Sequence, residues 1–450
     1  MKRLNIISAA VAICATALCA NAQNSTEKKE TAKEHLQNHY KFYGFIRNYF
    51  AYDSHESKSG TGDLYYWLPT DRSLNAKGED MAQQSQFRFL AITSRLGVDV
   101  SGYQVGKTQF GAKVEADFYC GLDSKTSGGA TDRVSGTATL RLRQAYATLK
   151  WAELGRNEQG SIAMKIGQAW HPMAADLPDI FSLESAAPFG PFSRTPQVTT
   201  DFNFNSNFSI TASLIWQMQY KSAGPDGASA NYIKYACTPE TYLGLNVTGG
   251  GFLGRVGVDI LSIKPRHTGT VDGTTVKVKD RITTVSPYVY LQYTKNLFKF
   301  KAKSTFSQGG EHINLMSGYA VADRSDAMEW KYTPYRTSST WVTLAFGKKV
   351  QGALLAGYIK NLGTNKDIAS AKDIYFQANG SASIAQMYRI QPEITYNIGK
   401  FTLGFEYMFT SVQYCSDPDG SISYNLRGLS TSQAHWVNNH RVQAMVKFNF

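Results

Sequence analysis

His440-Arg441-Val442-Gln443-Ala444-Met445-Val446-Lys447-Phe448-Asn449-Phe450 closes the chain. Val442, Ala444, Val446, Phe448 and Phe450 fall on one face, and Arg441, Gln443, Lys447 and Asn449 on the other. A period of two defines a strand whose faces meet different environments. The strand runs to the last residue, where chains usually fray. A closed barrel explains it, because the final strand must pair with the first to remove both edges.

Other stretches repeat the pattern. Residues 107–121 alternate Lys113, Glu115 and Asp117 with Val114, Ala116 and Phe118. Residues 298–308 set Lys299, Lys301 and Lys303 against Phe298, Phe300 and Ala302. Further strands are expected at 40–53, 86–101, 137–151, 161–170, 197–204, 208–220, 241–248, 253–264, 281–294, 339–349, 352–362, 385–397 and 401–412. With the terminal strand that makes about sixteen, an even number inside the range of bacterial barrels. The connections alternate long and short from the first strand onward, as extracellular loops and periplasmic turns do. The expected fold is all-β: a transmembrane antiparallel up-and-down barrel spanning residues 39–450. Pro287 and Pro392 fall inside strands and are expected to mark local bulges.

Composition agrees. Aromatic residues make up 13% of the chain, with 26 Tyr and 24 Phe, and mean hydropathy is −0.31. Beyond the N-terminal region no apolar run is long enough for a helical span. Lys2 and Arg3, the apolar run 6–20 and Ala20-Asn21-Ala22 have the layout of a signal peptide over residues 1–22. Its removal takes the net charge from +12 to +10. Residues 23–38 are polar and charged, a short periplasmic helix or a disordered lead. The expected location is the outer membrane of a Gram-negative bacterium. Cys237 and Cys415 lie in expected loops and could pair.

Charge assigns the faces. A basic side chain facing lipid at mid-membrane costs about 2–4 kcal/mol. Arg47, Arg95, Lys113, Glu115, Asp117, Arg141, Arg143, Lys165, Arg255, Lys299, Lys301, Lys303, Arg389 and Glu393 are therefore expected to point inward. A barrel of this size is too wide for side chains to fill, so the lumen holds water. Its basic surplus favours anions. Arg47, Arg95, Lys113, Arg141, Arg143, Lys299, Lys301, Lys303 and Arg389 are the candidate pore-lining residues. The alternating lysines are either a solvated wall or a ladder that passes anions along.

The third long loop, 171–196, is the candidate constriction. Its prolines stiffen it, and Phe181, Phe189 and Phe192 can pack it against a wall. Its acids Asp176, Asp179 and Glu184 are expected to face the arginines of the first four strands. Asn48, Ser94, Gln144 and Gln168 share the outward registers of strands one, two, four and five. Polar groups need partners in hydrocarbon, which suggests a subunit contact there.

Tyr43-Gly44-Phe45-Ile46-Arg47, Thr93-Ser94-Arg95-Leu96-Gly97, Leu140-Arg141-Leu142-Arg143-Gln144-Ala145-Tyr146 and Ile166-Gly167-Gln168 together resemble the DcaP-like porins of the outer membrane, and more distantly the phosphate-selective porins. The aromatic ending likewise resembles the terminal strand that barrel-insertion machinery reads. The resemblance implies a homotrimer of sixteen-stranded barrels passing small anionic solutes, dicarboxylates among them. It carries inward arginines onto Arg47, Arg95, Arg141 and Arg143.

Two other classes compete. A structural or adhesive barrel would have a blocked lumen. An outer-membrane hydrolase would need a nucleophile or activated water beside a base. His171, His312 and Asp179 lie near expected rims, yet no Ser/His/acid or metal-ligand spacing stands out. The reading is therefore a channel, neither an enzyme nor a holder of metal or cofactor. Nucleic acid is not an expected partner, since the basic residues are spread over alternating positions.

Overall fold

Alternating side chains and an unpaired edge leave a strand of this kind one stable solution in lipid, which is closure. The computed structural model describes residues 38–60, 65–91, 93–119, 139–155, 157–376 and 381–450. Residues 41–450 form one unit. The expected signal peptide, nearly all of the lead, and the whole of loop 122–136 lie outside the described residues.

Sixteen strands close the barrel. They are β1 (Tyr40–Asp53), β2 (Gln86–Leu90 continued by Arg95–Val105), β3 (Thr108–Tyr119), β4 (Thr139–Leu154), β5 (Gly160–Trp170), β6 (Arg194–Asn203), β7 (Phe208–Ile215) and β8 (Glu240–Gly249). Then come β9 (Phe252–Ile263), β10 (Ile282–Lys295), β11 (Phe298–Gln308), β12 (Lys331–Gly347), β13 (Val350–Thr364), β14 (Ile384–Ile398), β15 (Phe401–Cys415) and β16 (Ala434–Asn449). The closing strand pairs antiparallel with the first, from Phe45 opposite Asn449 to Asp53 opposite Arg441. Short turns such as 250–251 sit at one end. Gly250 and Gly251 both take positive φ there, +59° and +84°, which the tight hairpin needs.

The two faces separate as the alternation requires. On β8, Leu243, Leu245 and Val247 are exposed outward, while Tyr242 and Asn246 are buried inward. Arg47, Arg95, Lys113, Arg141, Arg143, Lys299, Lys301, Lys303 and Arg389 all take the inward register. We expect Leu245→Arg to destabilise the barrel in a bilayer by about 2–4 kcal/mol. The same change at Gln351, which lines the lumen, should be nearly neutral. Urea-dependent refolding into vesicles would measure both.

Several details differ from the sequence reading. β12 begins at Lys331, because its first residues pair with an extra strand, Gly318–Asp323, that belongs to the loop before it. β7 ends at Ile215, and β6 starts at Arg194, opposite Trp170, so the third long loop is 171–193. Pro287 and Pro392 make no bulge. The register runs unbroken across both, and each lies beside a gap in pairing with the following strand. Cys237 and Cys415 are free thiols, the first exposed and the second buried.

Of the four polar residues expected outward, Gln144 needs correcting. A register shift where β4 pairs with β3 turns Gln144 inward, where its Nε2 donates to Glu115. Gln168 Nε2 donates to the carbonyls of Leu142 and Arg143. Ser94 Oγ accepts from the Arg47 amide. These groups are satisfied within the chain, so they do not by themselves require a neighbouring subunit.

Candidate functional site

Loop 171–193 leaves the top of β5 and folds into the lumen. Apolar packing draws it across. Met173, Ala186, Ala187, Phe189 and Phe192 join a buried cluster with Tyr290, Trp341, Leu355 and Ile359 of β10, β12 and β13. Gly357 makes room for Phe189: a Cβ there would lie 2.5 Å from the ring's Cγ.

The barrel wall then supplies donors to the loop's carbonyls. Lys303 Nζ donates to the carbonyls of Met173 (2.6 Å) and Asp176 (3.1 Å). Lys301 donates to Leu177 O at 3.0 Å, and Arg389 to Ala187 O at 3.1 Å. Tyr49 OH donates to Phe181 O at 2.8 Å. A buried loop backbone would otherwise leave such groups unpaired.

The loop acids do not face the arginines of the first four strands. Asp176 lies 3.5 Å from Arg255 of β9. Asp179 lies 3.1 Å from Lys301 and 3.8 Å from Lys299 of β11. Glu184 pairs at 2.5 Å with Arg441 of β16, which also holds Asp53 at 2.8 Å. The apolar anchor lies on β10, β12 and β13, so Asp176 and Asp179 meet the cations of β9 and β11 beside it, while Glu184 meets Arg441 of β16, the strand paired with β1. The lysine ladder is thereby used up: Lys301 and Lys303 hold the loop, and Lys303 is 2% exposed. Arg389, at 1%, is likewise sealed beneath it. Lys299 alone of the three lysines borders the central cavity.

That cavity has a volume of about 500 Å³. One wall carries Arg47, Arg95, Arg141, Arg143, Arg194 and Lys447; the loop, Lys299 and Glu393 stand opposite. Seven basic side chains line it against three acidic ones, Asp117, Asp179 and Glu393. Arg141 grips Asp117 with two 2.8 Å hydrogen bonds. Arg143 bridges Glu115 (2.9 Å) and Asp117 (2.6 Å), and Arg95 lies 3.6 Å from Glu115. Such bidentate contacts fix the planes of the guanidinium groups.

Three cations have no carboxylate within ion-pair distance among the described residues. Arg47 stacks at 4.7 Å over Phe45 and at 5.0 Å over Tyr49, with Nε donating to Thr93 Oγ1. Lys447 lies 5.8 Å over Phe45. Arg194 lies 4.8 Å over Trp170. Aromatic faces position these charges without neutralising them. Lys113 stands outside the cavity, paired with Asp99 at 2.7 Å.

Sequence reasoning missed Arg194 and Lys447 as site residues. The sequence pattern places Arg194 in the third long loop, whereas β6 already begins there. Lys447 sits on the polar face of the closing strand, so its inward direction could have been read there. His171 and His312 do come together, around Glu240 and Asp259; Asp179 pairs elsewhere, with the lysines of β11.

No family model matches the sequence, and no curated protein does. Solved structures share the fold. The chain is similar to the outer membrane channel DcaP of Acinetobacter baumannii, at 18% identity and a TM-score of 0.61, over 91% of this chain and 97% of that one. It is also similar to the anion-selective porin from Comamonas acidovorans, at 12% identity and a TM-score of 0.50, over 91% and 99%. The fold is that of the outer-membrane porins, and with the apolar exterior it places the chain in the outer membrane.

Proposed function

We propose that this barrel is a water-filled channel for passive diffusion of small solutes, with a preference for anions. The observation that carries the proposal is the basic surplus of the central cavity, above all Arg47, Arg194 and Lys447, whose charges no carboxylate among the described residues pairs with. In a narrow passage with low-dielectric walls such charges raise the local concentration of anions. They act through solvation and position, so no covalent step and no cofactor is involved.

The solute class is small carboxylates, dicarboxylates among them. Guanidinium groups locked in plane by Asp117 and Glu115 present donors that match a carboxylate edge. The Comamonas porin is anion-selective. Assembly as a homotrimer belongs to the same reading. An outward hollow lined by Ile166, Val198, Leu214 and Trp216 is a surface a second subunit could cover.

Swelling of vesicles that contain the protein tests the proposal. A four-carbon dicarboxylate should enter faster than a neutral polyol of equal size, and a diamine slowest. Entry of none of them would mean a closed, structural barrel.

A further inference from the structure

Near the extracellular end of the lumen four titratable side chains converge from four segments. His171 opens the folded-in loop. Glu240 begins β8, Asp259 lies in β9, and His312 sits on the turn Gly310–Ile313 of the loop after β11. Their side chains are 0–2% exposed. Two carboxylates so buried require compensating positive charge. No lysine or arginine ion-pairs with either among the described residues.

The geometry points to a cation. His171 Nε2 lies 3.7 Å from Asp259 Oδ1, and His312 Nε2 lies 3.3 Å from Glu240 Oε1 and 3.5 Å from Asp259 Oδ2. Metal–ligand bonds of about 2.0–2.1 Å at tetrahedral angles put donor atoms about 3.3 Å apart. His312 Nε2, Glu240 Oε2 and Asp259 Oδ1 make no hydrogen bond although they are buried. His312 Nδ1 faces the carbonyl of Gly309 at 3.2 Å. A proton on Nδ1 leaves the Nε2 lone pair directed at the carboxylates, the orientation that metal-bound histidines take. His171 Nε2 contacts Glu240 Oε1 at 2.6 Å, closer than two ligands of one ion can stand. Glu240 would therefore ligate through Oε2. The His171 ring proton would move to Nδ1 and release the Met173 amide that now donates to it.

One donor atom from each of His171, Glu240 and Asp259 lies within 4.8 Å of the other two; we propose that these three residues, with His312 beside both carboxylates as the fourth donor, bind one divalent transition-metal ion of the zinc, cobalt or nickel class. Two imidazoles beside two carboxylates select such ions over calcium and magnesium, which prefer oxygen alone. The ion would tie the first residue of the constriction loop to the barrel wall and to the loop carrying His312. The site is separate from the arginine-lined cavity and does not depend on how that cavity is read.

The test is refolding from metal-stripped denaturant into detergent with Co²⁺ as the probe. Barrel formation is followed by heat-modifiable gel mobility. We expect one Co²⁺ per chain with visible absorption of a four- or five-coordinate nitrogen–oxygen site. Zn²⁺ should displace it, and a hundredfold excess of Ca²⁺ should not. Folded His312→Gln should lose the absorption or bind at least tenfold more weakly. Absence of stoichiometric Co²⁺ from the folded wild-type chain would overturn the proposal. Undiminished absorption in folded His312→Gln would overturn it as well. Should that variant not fold, displacement by Zn²⁺ but not by Ca²⁺ in the wild-type chain supports the site, and displacement by Ca²⁺ overturns it.

Discussion

Replacing Arg47, Arg194 and Lys447 together by glutamine is expected to abolish the anion preference of the channel, read as a reversal potential that falls to zero or changes sign in a salt gradient. Each of the three borders the cavity and has no carboxylate within ion-pair distance among the described residues. Their loss leaves four basic side chains against three acidic ones. Three of those four, Arg95, Arg141 and Arg143, lie on Asp117 and Glu115. Charges spent on a neighbour a few ångströms away project a weaker field into the lumen than isolated ones do. Glutamine at Arg141 and Arg143 is a different experiment. It strands Asp117, 5% exposed, and takes from Glu115, 6% exposed, its closest cation. Breaking buried pairs of this kind costs about 3–5 kcal/mol, so that double variant should report on folding before it reports on selectivity. Equal effects of the two sets of substitutions would contradict the assignment.

Deletion of residues 175–191 is expected to raise single-channel conductance severalfold and to weaken selectivity at the same time. The loop supplies one whole side of the cavity and fills the lumen beside β10–β13. Its removal exposes Lys301, Lys303 and Arg389 to water, where they regain hydration in place of the loop's carbonyls. Arg441 keeps Asp53. The barrel itself is held by strand pairing that the loop does not enter, so folding should survive. Planar-bilayer recording of the folded variant measures both quantities. Unchanged conductance would mean that the narrowest point lies elsewhere.

The barrel was legible because its hydrophobic signal is local. Alternation at Lys113–Phe118, or along the closing strand, states which side chains face lipid without reference to any distant residue. The inward direction of Arg47, Arg95, Arg141 and Arg143 follows from the same parity and the cost of charge in hydrocarbon. Parity fails where a bulge intervenes, and Gln144 is the example: the slip between β3 and β4 turns its amide inward. The folding-in of loop 171–193 could be suspected from its prolines and phenylalanines. Its direction could not, because that depends on the space Gly357 leaves for Phe189 and on the aromatic wall of β10 and β12. Once the loop crosses to that side, Asp179 meets Lys301 and the lysine ladder becomes an anchor, while Glu184 reaches Arg441 on the closing strand. The meeting of His171 with His312 was equally hidden. Separations of this length in sequence are bridged only by the closed sheet.

The central claim is that water fills the lumen and that its fixed charge is positive. The direct measurement is the reversal potential of the unmodified protein in a planar bilayer under a tenfold potassium chloride gradient. We expect an ohmic conductance with the sign of chloride preference. A bilayer that stays silent with folded protein inserted, or a potential of the sign of potassium preference, would contradict the account.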